Sequence, residues 1–131
     1  MRLKILICTL ALLIAPLALS AQNAIDKAVD EYSSIGNSTF TSAVERDPNT
    51  RNVLKVVKVL QPTDITINKL RKAFLNEQKN GQFSLVTNEE EETMTLTVES
   101  SKENHVYMMQ YTRKGASYSN GKVTIIIKYK Q

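Results

Sequence analysis

Residues 93–99 read Thr-Met-Thr-Leu-Thr-Val-Glu, an unbroken alternation of polar and apolar side chains. Neighbouring side chains of a β-strand point to opposite faces, so this pattern predicts a strand with Met94, Leu96 and Val98 facing inward. The threonines then face outward. Because no other segment is so regular, the rest of the chain is placed by working outward from this strand.

Two further strands are predicted after it, over residues 105–113 and 122–130. In the last strand Val123, Ile125, Ile127 and Tyr129 share one face. The dipeptide Asn120-Gly121 is a strong tight-turn signal, and it predicts that the last strand begins at Lys122. The final third of the chain is therefore predicted to be a three-stranded antiparallel meander.

A helix and a hairpin are predicted upstream. Apolar residues recur at helical spacing over 23–35, where Asp26, Asp30 and Glu31 occupy the opposite, water-facing side, and Gly36 ends the pattern. Strands follow over 38–46 and 51–60. The turn Asp47-Pro48-Asn49-Thr50 joins them, because proline presets its backbone angle and the Asx side chains bond nearby amides.

A second helix is predicted to follow Pro62, with Thr63 or Asp64 as its cap, and to run to Asn80 before Gly81 stops it. Its buried stripe consists of four residues, Ile67, Leu70, Phe74 and Leu75. Residues 83–86 are left open between a short strand and a loop that packs Phe83 and Leu85.

These elements predict an α+β domain with the order α-β-β-α-β-β-β. Short connections between consecutive strands favour antiparallel neighbours. We therefore expect one curved antiparallel sheet of about five strands, with both helices packed on its concave face.

Residues 1–21 have the pattern of a cleaved export signal. Arg2 and Lys4 precede an apolar run, and small residues end at Ala21. A membrane span needs about 20 apolar residues, whereas Pro16 and Ser20 interrupt this run, so no integral span is expected. The sequence predicts a single domain over 22–131 that acts in the periplasm or outside the cell.

Removal of this signal changes which chemistry is available. Cys8 is the only cysteine, so the mature domain would have no disulfide and no thiolate nucleophile. Arg2 and Lys4 are two of the 17 basic residues, which leaves 15 against 13 acidic ones. A nucleic-acid partner is not expected, because the remaining charge is small and aromatic side chains are scarce.

Few residues are candidates for catalysis. His105 is the only histidine, and Glu99 and Glu103 are the carboxylates nearest to it in sequence. The run Glu89-Glu90-Glu91-Glu92 is typical of a solvated loop and lacks the spacing of a calcium loop. The sequence therefore predicts no catalytic residue, no cofactor and no metal site.

Three residues are predicted to form an interaction surface. Met108 and Ile126 fall on the outer face of the sheet, and Tyr118 falls in the polar turn 116–119, where it should be exposed. The expected partner is an envelope protein, a peptide or a glycan, and a homodimer is left open.

Several segments together resemble small exported proteins of Bacteroides-type bacteria, which belong to families called domains of unknown function. The resemblance rests on Leu17-Ala18-Leu19-Ser20-Ala21-Gln22, on the turn at 45–50, on the Lys/Val strand after it, and on Leu70-Arg71-Lys72-Ala73-Phe74. It covers most of the chain. It implies a Gram-negative envelope location and supplies no catalytic residues.

The leading hypothesis is therefore a non-catalytic exported binding module. The alternative is a small hydrolase or lyase that uses His105 with a carboxylate, which requires both groups in one concave pocket. A third hypothesis is an inhibitor or sensor of another envelope protein, which differs from the first only in its partner.

Overall fold

The computed structural model describes residues 22–131, so the predicted export signal lies outside the described residues. Within this range there are two α-helices, α1 (Ala24–Tyr32) and α2 (Ile67–Asn76), and short 3-10 turns at Asp64–Thr66 and Gln78–Asn80 flank α2. Six strands accompany them: β1 (Thr39–Arg46), β2 (Val53–Gln61), β3 (Gln82–Asn88), β4 (Glu91–Glu99), β5 (Glu103–Lys114) and β6 (Ser117–Tyr129).

The strands form one antiparallel sheet in the order β1-β2-β6-β5-β4-β3. The predicted α+β class is confirmed, but the prediction of about five strands is wrong because β3 is a sixth. Its residues pair with β4 from Gln82↔Thr97 to Asn88↔Glu91. The element order is therefore α-β-β-α-β-β-β-β. Most β3 side chains are exposed, so the segment lacks the apolar alternation that marks a half-buried strand.

One face of the sheet, here called the covered face, carries both helices. Across β4, β5 and β6, Leu96 pairs with Tyr107, and Tyr107 pairs with Ile125. These side chains are buried in one cluster with Ile25 and Val29 of α1 and with Ile67, Leu70 and Phe74 of α2. The opposite face, here called the open face, displays alternate residues that include Thr95, Met108 and Ile126.

The last turn differs from the prediction. Lys114 pairs with Ser117, so the hairpin turns at Gly115-Ala116, and Asn120-Gly121 lies inside β6 as a bulge. Asn120 adopts the left-handed conformation there, with φ 53°. A Cβ on Gly121 would approach the Ile67 side chain to 2.9 Å, so glycine lets the start of α2 lie directly on the strand.

The helices also end earlier than predicted. Helix α1 stops at Tyr32, three residues before Ile35, and the stretch predicted as one helix from Asp64 to Asn80 is divided into α2 and its two 3-10 turns. Asp47 holds the β1–β2 turn as predicted, because its Oδ1 accepts from the amides of Asn49 at 2.7 Å and Thr50 at 2.9 Å.

Candidate functional site

A chain of hydrogen bonds connects helix α1 to strand β5 on the covered face. Tyr107 Oη donates to Asp26 Oδ2 at 3.1 Å and lies 2.9 Å from His105 Nδ1. His105 Nε2 in turn donates to Glu103 Oε1 at 2.6 Å. Residues 103, 105 and 107 share one face of β5 because alternate side chains of a strand point the same way.

The first turn of α1 fixes the buried end of this chain. Asn23 and Asp26 form a capping box, in which Asp26 N donates to Asn23 Oδ1 at 2.9 Å and Asn23 N donates to Asp26 Oδ2 at 3.2 Å. Burial raises the pKa of Asp26 above its ordinary value of 3.8. Burial also raises the pKa of Tyr107, with a further contribution from the nearby Asp26 charge. The expectation that Asp26 faces water is therefore wrong.

A concave pocket of about 290 Å³ opens at this end of the molecule, and His105 and Glu103 both line it. Its other lining residues are Asn23, Glu77, Asn80, Val98, Ser100 and Tyr107. Glu77 also caps the N-terminus of α1, since its Oε2 accepts a hydrogen bond from Ala24 N at 2.8 Å. Its other oxygen, Oε1, accepts from Asn80 Nδ2 at 2.6 Å. The pocket wall is thus built from α1, the end of α2 and the β4–β5 turn.

The hydrogen-bonded series Asp26–Tyr107–His105–Glu103 can hold the same number of protons in two arrangements. In one, Asp26 is ionised, Tyr107 donates to it, and His105 is an imidazolium that donates to Tyr107 and Glu103. In the other, Asp26 is protonated and donates to Tyr107, the Tyr107 hydroxyl donates to His105 Nδ1, and the imidazole is neutral. Both ring nitrogens of His105 are occupied in either arrangement. A substrate could reach a ring nitrogen only after one of these bonds breaks.

Of the two carboxylates predicted to accompany His105, the structure brings only Glu103 to it. His105 pairs with Val98 across β4 and β5, whereas Glu99 pairs with Asn104 and so lies on the open face. Sequence reasoning missed Asp26 as a member of this chain of hydrogen bonds. The Asn23-x-x-Asp26 capping pattern was the one available signal that Asp26 has a structural role.

A second polar cluster occupies the other end of β5. Tyr111 Oη donates to Glu92, and Arg71 Nε donates to Tyr111 Oη at 2.8 Å. Burial, and then the bond to Glu92, raise the pKa of Tyr111 to about 12. Glu92 is buried within β4, so the prediction that the whole run 89–92 is a solvated loop is wrong at this residue.

Tyr118 belongs to this second cluster and is not an exposed turn residue as predicted. It is half-buried, and its ring meets Tyr111 edge-on at 5.4 Å between centroids. The guanidinium carbons of Arg71 and Arg113 lie 5.4 Å and 5.7 Å from the ring centre. The residue is held on the covered face because β6 begins at Ser117 and the turn is shorter than predicted.

The structure does not bring the three predicted interaction residues together. Ile126 pairs with Val106, and Met108 pairs with Thr124, so Met108 and Ile126 are diagonal neighbours on the open face. Both are half-buried. Tyr118 lies on the covered face. The predicted surface is therefore divided between two sides of the sheet.

The most exposed large apolar side chain is Ile65, in the 3-10 turn before α2, and four more exposed ones lie on the strands at the two sheet edges. Every residue of β1 is exposed, and Phe40 and Val44 on its covered-face side have exposed fractions of 36% and 52%. At the other edge, Leu85 and Val86 of β3 are 47% and 59% exposed. The alternation of residues in the predicted strand 38–46 puts Phe40 and Val44 on one side, but it gives no reason to place that strand at an edge.

Within residues 22–131, no cluster of His, Cys, Asp or Glu has the composition and proximity of a metal site. In the same part of the chain, no helix has the length and apolar character needed to cross a membrane. Comparisons of the chain with protein-family models, with curated proteins and with solved structures found no match. The resemblance to exported Bacteroides-type proteins therefore stays a prediction.

Proposed function

We propose that this chain is an exported, non-catalytic protein-binding domain that accepts an extended polypeptide strand along the free edge of β1. The observation that carries the proposal is the exposure of all eight residues of β1 in a strand that packs chiefly against β2. Among residues 22–131 no strand pairs with its outer edge, which presents backbone N–H and C=O groups in register for another strand.

The β1 edge lacks most of the features that protect edge strands from pairing. Natural sheets block their edges with lysine, proline, bulges or a covering helix. From Thr39 to Val44 the strand contains neither a charge nor a proline, and its bulge lies at Glu45/Arg46, at the far end. The free edge is therefore open over most of its length.

The side chains of β1 indicate what kind of strand it would accept. Phe40 and Val44 lie on the covered-face side, while Thr39 and Thr41 lie on the open side. Strand addition draws its affinity from backbone bonds and its specificity from alternate side chains. The partner is accordingly a peptide segment with apolar residues at alternate positions.

Export is part of the proposal, and the charged start, apolar run and small residues of positions 1–21 support it. An inhibitor or sensor of another envelope protein would use the same edge, with a strand of that protein as the partner.

Selection from a displayed library of random linear peptides tests this function. We expect enrichment of sequences with alternating apolar residues, and we expect their binding to be lost in Phe40→Lys and Val44→Lys. Leu85→Lys is the matched control, because it adds the same charge to an exposed apolar position at the opposite edge. Peptides that bind equally to all three variants, or no enrichment, would contradict the proposal.

The alternative function, a small hydrolase or lyase, is favoured by one observation: His105 lies in a pocket with Glu103 at 2.6 Å. An observation against this alternative is that both ring nitrogens of His105 already have hydrogen-bond partners within the protein. A panel of chromogenic esters and glycosides tests the alternative. Turnover that disappears in His105→Ala and Glu103→Gln but persists in Glu99→Gln would support it, and turnover indifferent to His105 would exclude it.

A further inference from the structure

The outer edge of β3, opposite β1, is also unpaired within residues 22–131. From Gln82 to Asn88 it has no charge and no proline, and it pairs with β4 without a bulge. Leu85, at its centre, and Val86 are the two large apolar side chains exposed there. An uncharged, regular and apolar edge is a template for pairing with another strand.

The sequence of β3 is compatible with pairing to itself. Full antiparallel overlap of two copies places a two-fold axis at Leu85, so Leu85 faces Leu85 and Ser84 faces Val86. Opposed residues of an antiparallel pair share a face, so this register joins the two exposed leucines on the covered side. No charge within the strand opposes a like charge.

The residues beyond the strand ends have opposite charge. Glu89 and Glu90 form the turn that follows the strand at one end, while Lys79 precedes it at the other. Antiparallel overlap therefore brings the end of β3 that carries Lys79 in one copy beside the Glu89-Glu90 turn of the other. Charge complementarity of this kind favours one register and orientation over others.

The β1 edge does not match itself in this way. Its two-fold centre falls between Ser42 and Ala43, and full overlap places Glu45 opposite Phe40 at the bulged end of the strand. The two edges of the sheet are thus suited to different occupants.

We propose that two copies of this chain associate through β3, antiparallel about a two-fold axis at Leu85. The sheets of the two copies become continuous, and both helix layers lie on the same side. An isologous interface of this type closes on itself and leaves β1 free in each copy. The proposal of a dimer through β3 can therefore fail without affecting the proposal of peptide binding at β1, and the reverse is also true.

Disulfide trapping tests the register directly. In the full-length chain with Cys8→Ser, Leu85→Cys supplies the only thiol. Directly opposed residues of an antiparallel pair have Cα atoms about 4.5–5.5 Å apart, within the range of about 4.4–6.8 Å that a disulfide bridges. We expect air oxidation to convert the variant into a covalent dimer. Val44→Cys at the other edge is the matched control and should remain uncrosslinked.

Sedimentation equilibrium provides the second measurement. The unmodified chain should sediment as a dimer, and Leu85→Lys should shift it to a monomer with an unchanged circular dichroism spectrum, because this side chain is outside the core. A monomeric unmodified chain would overturn the proposal. So would a folded Leu85→Cys variant that stays uncrosslinked, or crosslinking that is equally fast at positions 44 and 85.

Discussion

The hydroxyl of Tyr107 lies 3.1 Å from Asp26 Oδ2 and binds this carboxylate, which belongs to a helix 81 residues earlier in the chain. The same oxygen lies 2.9 Å from His105 Nδ1. Tyr107 thus ties the first turn of α1 to β5 and closes one wall of the pocket. The stability of this end of the domain should depend on that single oxygen.

Tyr107→Phe removes the oxygen and keeps the ring. Asp26 and His105 Nδ1 then lose a partner in a largely buried setting, and an unsatisfied buried polar group costs about 1–3 kcal/mol. We expect the free energy of unfolding, measured with urea, to fall by about that amount. Tyr118→Phe is the control, because the Tyr118 hydroxyl has no hydrogen-bond partner among residues 22–131. Equal losses in both variants would mean that the bridge contributes nothing.

The burial of Asp26 predicts a specific pH dependence. Its pKa is raised in the folded state above the ordinary 3.8. Below pH 3.8 the carboxyl is protonated in both states, so its contribution is fully favourable there. As the pH rises from 3.8 through the raised pKa, the unfolded chain loses the proton first, so the folded state is progressively disfavoured.

Asp26→Asn removes this titration while retaining an oxygen acceptor. The stability of the unmodified protein relative to Asp26→Asn should therefore decrease across that pH window, because all other titrating groups are common to both. Urea unfolding at a series of pH values measures the difference. A difference that stays constant with pH would show that Asp26 does not titrate as its burial requires.

Glu92 controls the ionisation of Tyr111. Burial and then the bond to Glu92 hold the pKa of Tyr111 at about 12, above its ordinary 10.0. In Glu92→Gln the charge that opposes tyrosinate formation is gone, so the pKa of Tyr111 should fall. Absorbance titration of tyrosinate, assigned with Tyr111→Phe, measures this. The exposed neighbour change Glu91→Gln should leave the titration unaltered, and an equal shift there would contradict the assignment.

Gly121 is required by the closeness of helix and strand. An added Cβ would lie 2.9 Å from two Ile67 side-chain carbons, and relieving such overpacking costs about 1–3 kcal/mol. We expect Gly121→Ala to lower the melting temperature. Gly36→Ala is the matched control, since a Cβ there meets nothing within 4 Å. A Gly121→Ala variant as stable as Gly36→Ala would show that α2 can move away without cost.

The sequence predicted the fold correctly where the alternation of polar and apolar residues matches their burial in the structure. The alternation at 93–99 identified β4 because Met94 and Leu96 are buried while the threonines are not. It left residues 83–86 of β3 open between a strand and a loop, since an edge strand exposes both faces and leaves no periodic signal. It misplaced the last turn because Asn120-Gly121 suits any left-handed position, a bulge as well as a turn.

The candidate site was only partly predictable for a related reason. The spacing of Glu103 and His105 puts both on one face of any strand, so that pair was visible in the sequence. Their link to Asp26 depends on how α1 packs across β5, which no local pattern encodes. Likewise, Glu92 resembles its solvated neighbours in sequence and differs only because Tyr111 and Arg113 surround it.

Amide hydrogen exchange of the chain bound to a library-selected peptide tests strand addition at β1 most directly. Alternate N–H groups of an edge strand point outward, where an added strand would bond them. We predict that alternate amides from Thr39 to Val44 become protected on peptide binding, while those of β3 and of the His105 pocket do not change. Protection confined to amides of β3 or of the pocket, with those of β1 unchanged, would contradict strand addition at β1.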